Sequence, residues 1–261
     1  DRREDVDIFG GRARGTPAGG EVRTCGKQAC GHAMGPWYSP SPTTLNHAGA
    51  PPGLIRRAPC SPAPIRGTPK PMAKAESKPL SGRVALVTGA NTGIGLVTAR
   101  ELAKQGARVF IACRSRERAR PATDAIRAAT GADVEFLALD LGDLDSVRAC
   151  ARAFLATGLP LHLLVNNAGL AGARGLTKSG FELAFGVNHL GHFLLTKLLE
   201  GSIRKAAPAR IVTVASKAHY RCPGIDFDAV KKPTRSRTAL AEYGVAKLAN
   251  VLFSAEIGRR L

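Results

Sequence analysis

Between residues 80 and 261, short apolar runs alternate with longer segments of mixed polarity. The runs Val84–Thr88, Arg108–Cys113, Val134–Leu139, Leu161–Asn166 and Arg210–Ala215 predict strands, and Val84–Val87 is an apolar run of the kind a fully buried parallel strand uses. The segments Ile94–Gln105, Arg116–Thr130, Leu144–Thr157, Lys178–Leu199 and Ala239–Leu261 predict helices. Such alternation implies right-handed crossovers and a parallel sheet. The expected fold is α/β, a Rossmann-type doubly wound parallel sheet with helices on both faces.

Residues 1–71 break this pattern. They contain 11 Gly and 11 Pro and no apolar periodicity, which is the composition of a disordered segment. Two regions are therefore expected: residues 1–71, and a nucleotide-binding domain over 72–261. The chain starts with Asp, whereas Met72 lies a dozen residues before the first strand. This suggests Met72 as the natural start and residues 1–71 as an over-extended reading frame. No apolar run approaches the roughly 18 residues of a transmembrane helix, and no secretory pattern opens the chain, so a cytoplasmic protein is expected.

The net charge of +18 changes the picture little. Residues 1–71 hold 10 Lys/Arg against 5 Asp/Glu, and residues 72–261 hold 28 against 15, so the excess is spread along the chain. No nucleic-acid motif accompanies it, and a nucleic-acid partner is not expected. The six cysteines show no disulfide spacing and read as reduced thiols. Cys25, Cys30 and His32 lack a fourth ligand at zinc spacing, so no metal is expected.

The chemistry begins where the first strand ends. Thr88-Gly89-Ala90-Asn91-Thr92-Gly93-Ile94-Gly95 places three glycines between a strand and a helix. Glycines admit a phosphate close to the backbone, and a helix N-terminus offers unpaired N–H groups to it. Gly89, Asn91, Thr92, Gly93, Ile94 and Gly95 are thus the candidate dinucleotide-binding residues. The spacing is Gly-x-x-x-Gly-x-Gly, a variant of the usual fingerprint. An acidic residue ending the second strand would select NAD, but Cys113 stands there and Arg114 follows. A guanidinium suits a 2′-phosphate, so NADP is expected over NAD. Asp140 and Leu141 close the third strand, where a carboxylate can accept from an adenine amino group. Asp140 could instead cap the next helix, a task for which Asp143 is better placed. Asn166, Asn167, Ala168 and Gly169 end the fourth strand, with either a cofactor-holding or a structural role open to the two amides.

Tyr243 and Lys247 lie four residues apart and share a helix face. A tyrosine hydroxyl is a poor acid–base group at neutral pH, and a nearby ammonium favours its phenolate. Ser216, just past the fifth strand, could hydrogen-bond a substrate carbonyl. Asn188, in the helix after the fourth strand, could hold a water in a proton path.

In this order, Thr88–Gly95, Asn166–Gly169, Asn188, Ser216 and Tyr243/Lys247 resemble the short-chain dehydrogenase/reductase superfamily over residues 80–261. Val187–Thr196 and Ala246–Phe253 look like its retinol dehydrogenase-like and WW-domain oxidoreductase-like branch. The resemblance implies an NADP-dependent oxidoreductase that moves hydride between nicotinamide and a carbonyl/alcohol substrate, with an apolar retinoid, steroid or lipid aldehyde as the substrate class. It makes Tyr243 the general acid/base and Lys247 the residue that tunes it and binds the nicotinamide ribose. Ser216 orients the carbonyl, Asn188 completes a proton relay, and His189 and His192 are packing residues rather than ligands. It is compatible with a homo-oligomer paired through the Tyr243 helix. Family members continue past the point where this chain stops, so the domain is expected to be truncated at its C-terminal end, with an unpaired fifth strand and little activity. The competing reading is a cofactor-binding protein of this fold without catalysis, or an inactive fragment.

Overall fold

A computed structural model describes residues 78–261. The expectations for residues 1–71 and for Met72 lie outside the described residues. Five strands form one parallel sheet: β1 (Val84–Thr88), β2 (Arg108–Cys113), β3 (Val134–Ala138), β4 (Leu163–Asn166) and β5 (Arg210–Thr213). Their order is β3-β2-β1-β4-β5. The chain moves outward from β1 to β3, then crosses back to add β4 on the other side of β1. Loops leaving the carboxyl ends of β1 and β4 therefore diverge, and the crevice between them is where open α/β sheets bind ligands. Among the described residues β5 forms a sheet edge.

Successive side chains of each strand point to opposite faces, and each face has its own core. Leu86, Phe110 and Leu164 pack with Val147 and Phe154 of α3 (Leu144–Leu155) and with Leu195 and Leu199 of a later helix, α5 (Gly191–Lys205). The Phe110 and Phe154 rings meet edge-on at 5.2 Å. Val87, Val109, Ile111 and Val165 pack on the other face with Ala99 and Ala103 of α1 (Gly93–Lys104) and Ile126 of α2 (Arg116–Thr130). Small alanines let α1 lie close to the sheet, which holds its N-terminus at the crevice.

The helix starts follow local chemistry. Ser115 Oγ accepts from Arg118 N–H and caps α2, and Gly131 ends that helix at φ +65°. Asp143 caps α3 by accepting from the N–H groups of Asp145 and Ser146, while Asp140 Oδ1 closes its own turn on Gly142 N–H at 2.9 Å. Lys178–Leu199 requires correction as a single helix. Gly180 turns at φ +81°, and Glu182 caps the start of a short α4 (Leu183–Phe185). A π turn, Gly186–Leu190, then widens the helix before α5 continues to Lys205. In that turn Gly191 N–H bonds to Gly186 O, five residues back. The last helix, α6 (Leu240–Arg260), packs on the π turn through Ala246 and Ala249. No helix among the described residues is long and apolar enough to cross a membrane.

Candidate active site

The nucleotide cradle is built where β1, α1 and the loop after β4 meet. Gly89 has φ +65°, and a Cβ there would sit 2.9 Å from Ala168 Cα. A Cβ on Gly95 would sit 2.5 Å from Asn167 Nδ2 and 2.6 Å from Gly89 O. These two glycines thus let the Asn166–Gly169 segment close onto the glycine loop. Gly93 differs: its φ is +56° and its missing Cβ would point into open space. It is the glycine at which a ligand can approach the backbone. Thr92 stands as an extended N-cap whose side chain makes no cap bond, which leaves first-turn N–H groups of α1 for an anion. Ile94 is exposed beside them, and Asn91 is half-buried.

Thr88 pins the cradle from below. Its Oγ1 accepts from the N–H groups of Asn167 and Ala168, both at 3.0 Å. Asn167 Nδ2 returns a bond to Thr88 O at 2.8 Å. Asn166 Nδ2 donates to Thr196 Oγ1 at 3.0 Å, while its Oδ1 is buried without a partner. Both side-chain amides thus donate to groups inside the protein. Arg114 is exposed just past β2, Asp140 is half-buried, and Leu141 is buried at the next strand end. The open Gly93 position, the uncapped α1 N-terminus and the exposed guanidinium fit a dinucleotide phosphate.

The second half of the site comes from α6, the π turn and the segment after β5. Lys247 is 3% exposed, and its Nζ lies 5.7 Å from the centre of the Tyr243 ring. Nζ donates to Val214 O at 2.7 Å, and burial lowers the pKa of this ammonium. A Cβ on Gly169 would sit 3.8 Å from Nζ, so Lys247 borders the cradle. Ser216 Oγ accepts from Ala218 N–H at 3.2 Å and caps the short 3-10 helix Lys217–Arg221. As an acceptor there, the hydroxyl keeps its hydrogen for another partner. That 3-10 helix abuts α6 beside Tyr243: a Cβ on Gly244 would meet Cys222 Sγ at 2.6 Å and Ala218 O at 3.1 Å. Packing thereby brings Ser216, Tyr243 and Lys247 to one corner.

Asn188 is fully buried in the π turn. Its side chain holds both main-chain groups of Leu170, accepting from N–H at 2.8 Å and donating to C=O at 2.9 Å. Its carbonyl receives two side chains, His192 Nδ1 at 3.0 Å and Asn250 Nδ2 at 3.2 Å, of which the sequence pattern does not single out Asn250. Asn250 Nδ2 also points at Val214 O, 3.3 Å away, and its Oδ1 pairs with His189 Nδ1 at 3.1 Å. Two carbonyl partners fix which end of this amide is nitrogen. His189 Nδ1 must then carry the hydrogen it donates to Asn250 Oδ1. Helical spacing was the available signal: His192 follows Asn188 by four residues, and Asn250 follows Lys247 by three. Both histidines are packed as expected, His192 at 1% exposure and His189 against Phe185, Phe193 and Phe253, and each also hydrogen-bonds within this corner.

A sequence profile described as short chain dehydrogenase matches residues 83–225. Retinol dehydrogenase 12 from Mus musculus is 49% identical over 184 residues, covering 70% of this chain and 58% of its own. WW domain-containing oxidoreductase from Danio rerio is 46% identical over 190 residues, covering 70% and 46%. The chain thus spans about half the length of the curated relatives it matches. Among solved structures, an uncharacterized protein from Mycobacterium paratuberculosis is 40% identical with a TM-score of 0.58, covering 72% of this chain and 65% of its own. An RhlG/NADP active-site complex from Pseudomonas aeruginosa is 30% identical with a TM-score of 0.55, covering 70% and 67%. Together with the parallel sheet and the Tyr243/Lys247 corner, these matches show that the chain belongs to the short-chain dehydrogenase/reductase family, in its retinol dehydrogenase-like branch.

Proposed function

We propose that this protein is an NADP-dependent oxidoreductase acting on an apolar carbonyl/alcohol pair. One observation carries the reading: a buried lysine ammonium lies 5.7 Å from the Tyr243 ring, beside a cradle open at Gly93. A buried cation next to a phenol stabilises negative charge developing on the phenol oxygen, which is what a tyrosine needs to give or take a proton near neutrality. Ser216 has a hydroxyl hydrogen to direct at a carbonyl oxygen. Tyr243 protonates that oxygen in reduction and removes the proton in oxidation. Asn188 holds Leu170 and so sets the loop between the cradle and this corner.

Gly93, the first turn of α1, Arg114, Asp140, Leu141, Ala168, Gly169 and Lys247 would hold the dinucleotide, whose nicotinamide supplies or accepts hydride when bound. Arg114 favours the 2′-phosphate form. The solved relative bound to NADP supports the same choice, and the relative named for retinol supports an apolar substrate.

The test is NADPH consumption by the purified chain with a panel of aliphatic and aromatic aldehydes, beside Tyr243→Phe. Turnover that falls roughly a hundredfold or more in the variant, with NADPH still bound, is the expected result. Tight NADPH binding with no turnover of any aldehyde would instead favour a cofactor-binding protein without catalysis.

A further inference from the structure

His192 lies in the first turn of α5, 1% exposed, and touches both halves of the site. Its Nδ1 is 3.0 Å from Asn188 O in the π turn, and its Nε2 is 2.8 Å from Thr88 Oγ1 under the cradle. Its protonation follows from its partners. A carbonyl only accepts, so Nδ1 carries the hydrogen. Thr88 Oγ1 already accepts from Asn167 and Ala168 N–H, which fills its two lone pairs. Its one hydrogen must therefore go outward. Val165 O is 3.4 Å away, and Nε2 at 2.8 Å is the better acceptor. The imidazole is thus neutral, donating to the catalytic turn and accepting from the cradle. Burial pushes its pKa down to about 4, and the nearby Lys247 and His189 act in the same direction.

The connection runs without a gap. Main-chain N–H of Ala168 binds Thr88 Oγ1, Thr88 binds His192, His192 binds the Asn188 carbonyl, and the Asn188 side chain returns to Leu170, two residues past Ala168. It closes a ring through β1, the loop after β4 and the π turn.

We propose that His192 is a positioning residue that ties the nucleotide cradle to the catalytic turn, so that the loop Ala168–Leu170 keeps one register against both. The kinetic part of this inference rests on the oxidoreductase reading; the part concerning nucleotide binding does not.

Three substitutions separate coupling from space-filling. His192→Leu fills the cavity and removes both bonds. His192→Gln keeps an amide donor and a carbonyl acceptor at imidazole reach. His192→Asn keeps only a group near Nδ1, too short for Thr88. For each, NADPH affinity is measured by fluorescence titration, kcat and KM with a medium-chain aldehyde, and the unfolding midpoint by circular dichroism. The expected result is NADPH binding weakened roughly tenfold in the Leu and Asn variants, with kcat reduced and aldehyde KM unchanged, and with most of both recovered in the Gln variant. Wild-type affinity and kcat in the Leu variant, with only the midpoint lowered, would overturn the proposal. So would equal NADPH affinity in the Asn and Gln variants, which stays decisive if the Leu variant fails to fold. If the unaltered chain binds NADPH but turns over no aldehyde, the oxidoreductase reading fails, and the affinities alone decide the role of His192.

Discussion

Two glycines of the same loop are expected to fail in opposite ways when a methyl group is added. In Gly95→Ala the new Cβ would lie 2.5 Å from Asn167 Nδ2, 2.6 Å from Gly89 O and 3.0 Å from Ala90 Cα. Two of these are backbone atoms that cannot swing aside. Forcing a methyl into such a contact costs about 1–3 kcal/mol. Displacing Asn167 also threatens its 2.8 Å bond to Thr88 O, adding about 1 kcal/mol, so the total is about 2–4 kcal/mol. In Gly93→Ala the Cβ meets nothing within 4 Å. The only folded-state cost is an alanine at φ +56°, about 1 kcal/mol. Its methyl, however, projects where a phosphate would approach, and NADPH affinity is expected to fall roughly tenfold or more. Urea unfolding followed by circular dichroism gives the stabilities, and NADPH fluorescence titration gives the affinities. If Gly93→Ala destabilises more than Gly95→Ala, or binds NADPH as the unaltered chain does, the assignment of separate tasks to these glycines is refuted.

Further consequences follow from the same geometry. Arg114→Ala is expected to weaken NADPH roughly tenfold and leave NADH nearly unchanged, by parallel titrations; equal loss for both would remove Arg114 from the 2′-phosphate. Asn250→Leu strips donors from the Asn188 and Val214 carbonyls and the acceptor from His189, and should cost about 2–4 kcal/mol in urea unfolding. A cost under about 0.5 kcal/mol would mean that these bonds contribute little. His192 also sets a pH dependence. Its pKa is about 4 in the folded chain against 6.5 for the ordinary group, so the unfolded chain binds the proton more readily. Its contribution is fully present above about pH 6.5 and is lost as pH falls toward 4, by about 3 kcal/mol. His192→Gln should flatten that part of the stability-against-pH curve, and an unchanged slope between wild type and variant would contradict the buried neutral imidazole.

All five strands and four of the five predicted helices were legible within a few residues: Val84–Thr88 and Arg108–Cys113 are aliphatic runs buried on both faces, and the more exposed β3 and β5 still stand out as short apolar runs between helical segments. The helix expected over Lys178–Leu199 was not. Its start depends on the Glu182 carboxylate, whose Oε2 reaches Phe185 N–H at 2.8 Å while its other oxygen accepts from the distant Thr234 hydroxyl. Its far end runs past Gly201 and Ser202 to Lys205, since Ser202 is anchored to Leu159 O at 3.1 Å. Neither partner is near in sequence. The π turn at Gly186–Leu190 is equally invisible to a 3.6-residue period. The proposed reacting groups could be read from spacing, as with Tyr243 and Lys247. The hydrogen bonds of Thr88, His192 and Asn250 could not, because they join a strand end to a helix 104 residues on and a helix to the π turn 62 residues away. The three glycines were legible as a motif, but not as two tasks: closure onto Asn167 and Ala168, and an opening for ligand.

The most direct test of the central claim follows one atom. The chain is mixed with NADPH carrying deuterium at nicotinamide C4 and with a medium-chain aldehyde, and the product is examined by mass spectrometry. The account predicts deuterium on the carbinol carbon of the alcohol, transferred by the unaltered chain and lost in Tyr243→Phe. Bound NADPH with no label in any alcohol, or equal transfer in the phenylalanine variant, would contradict it.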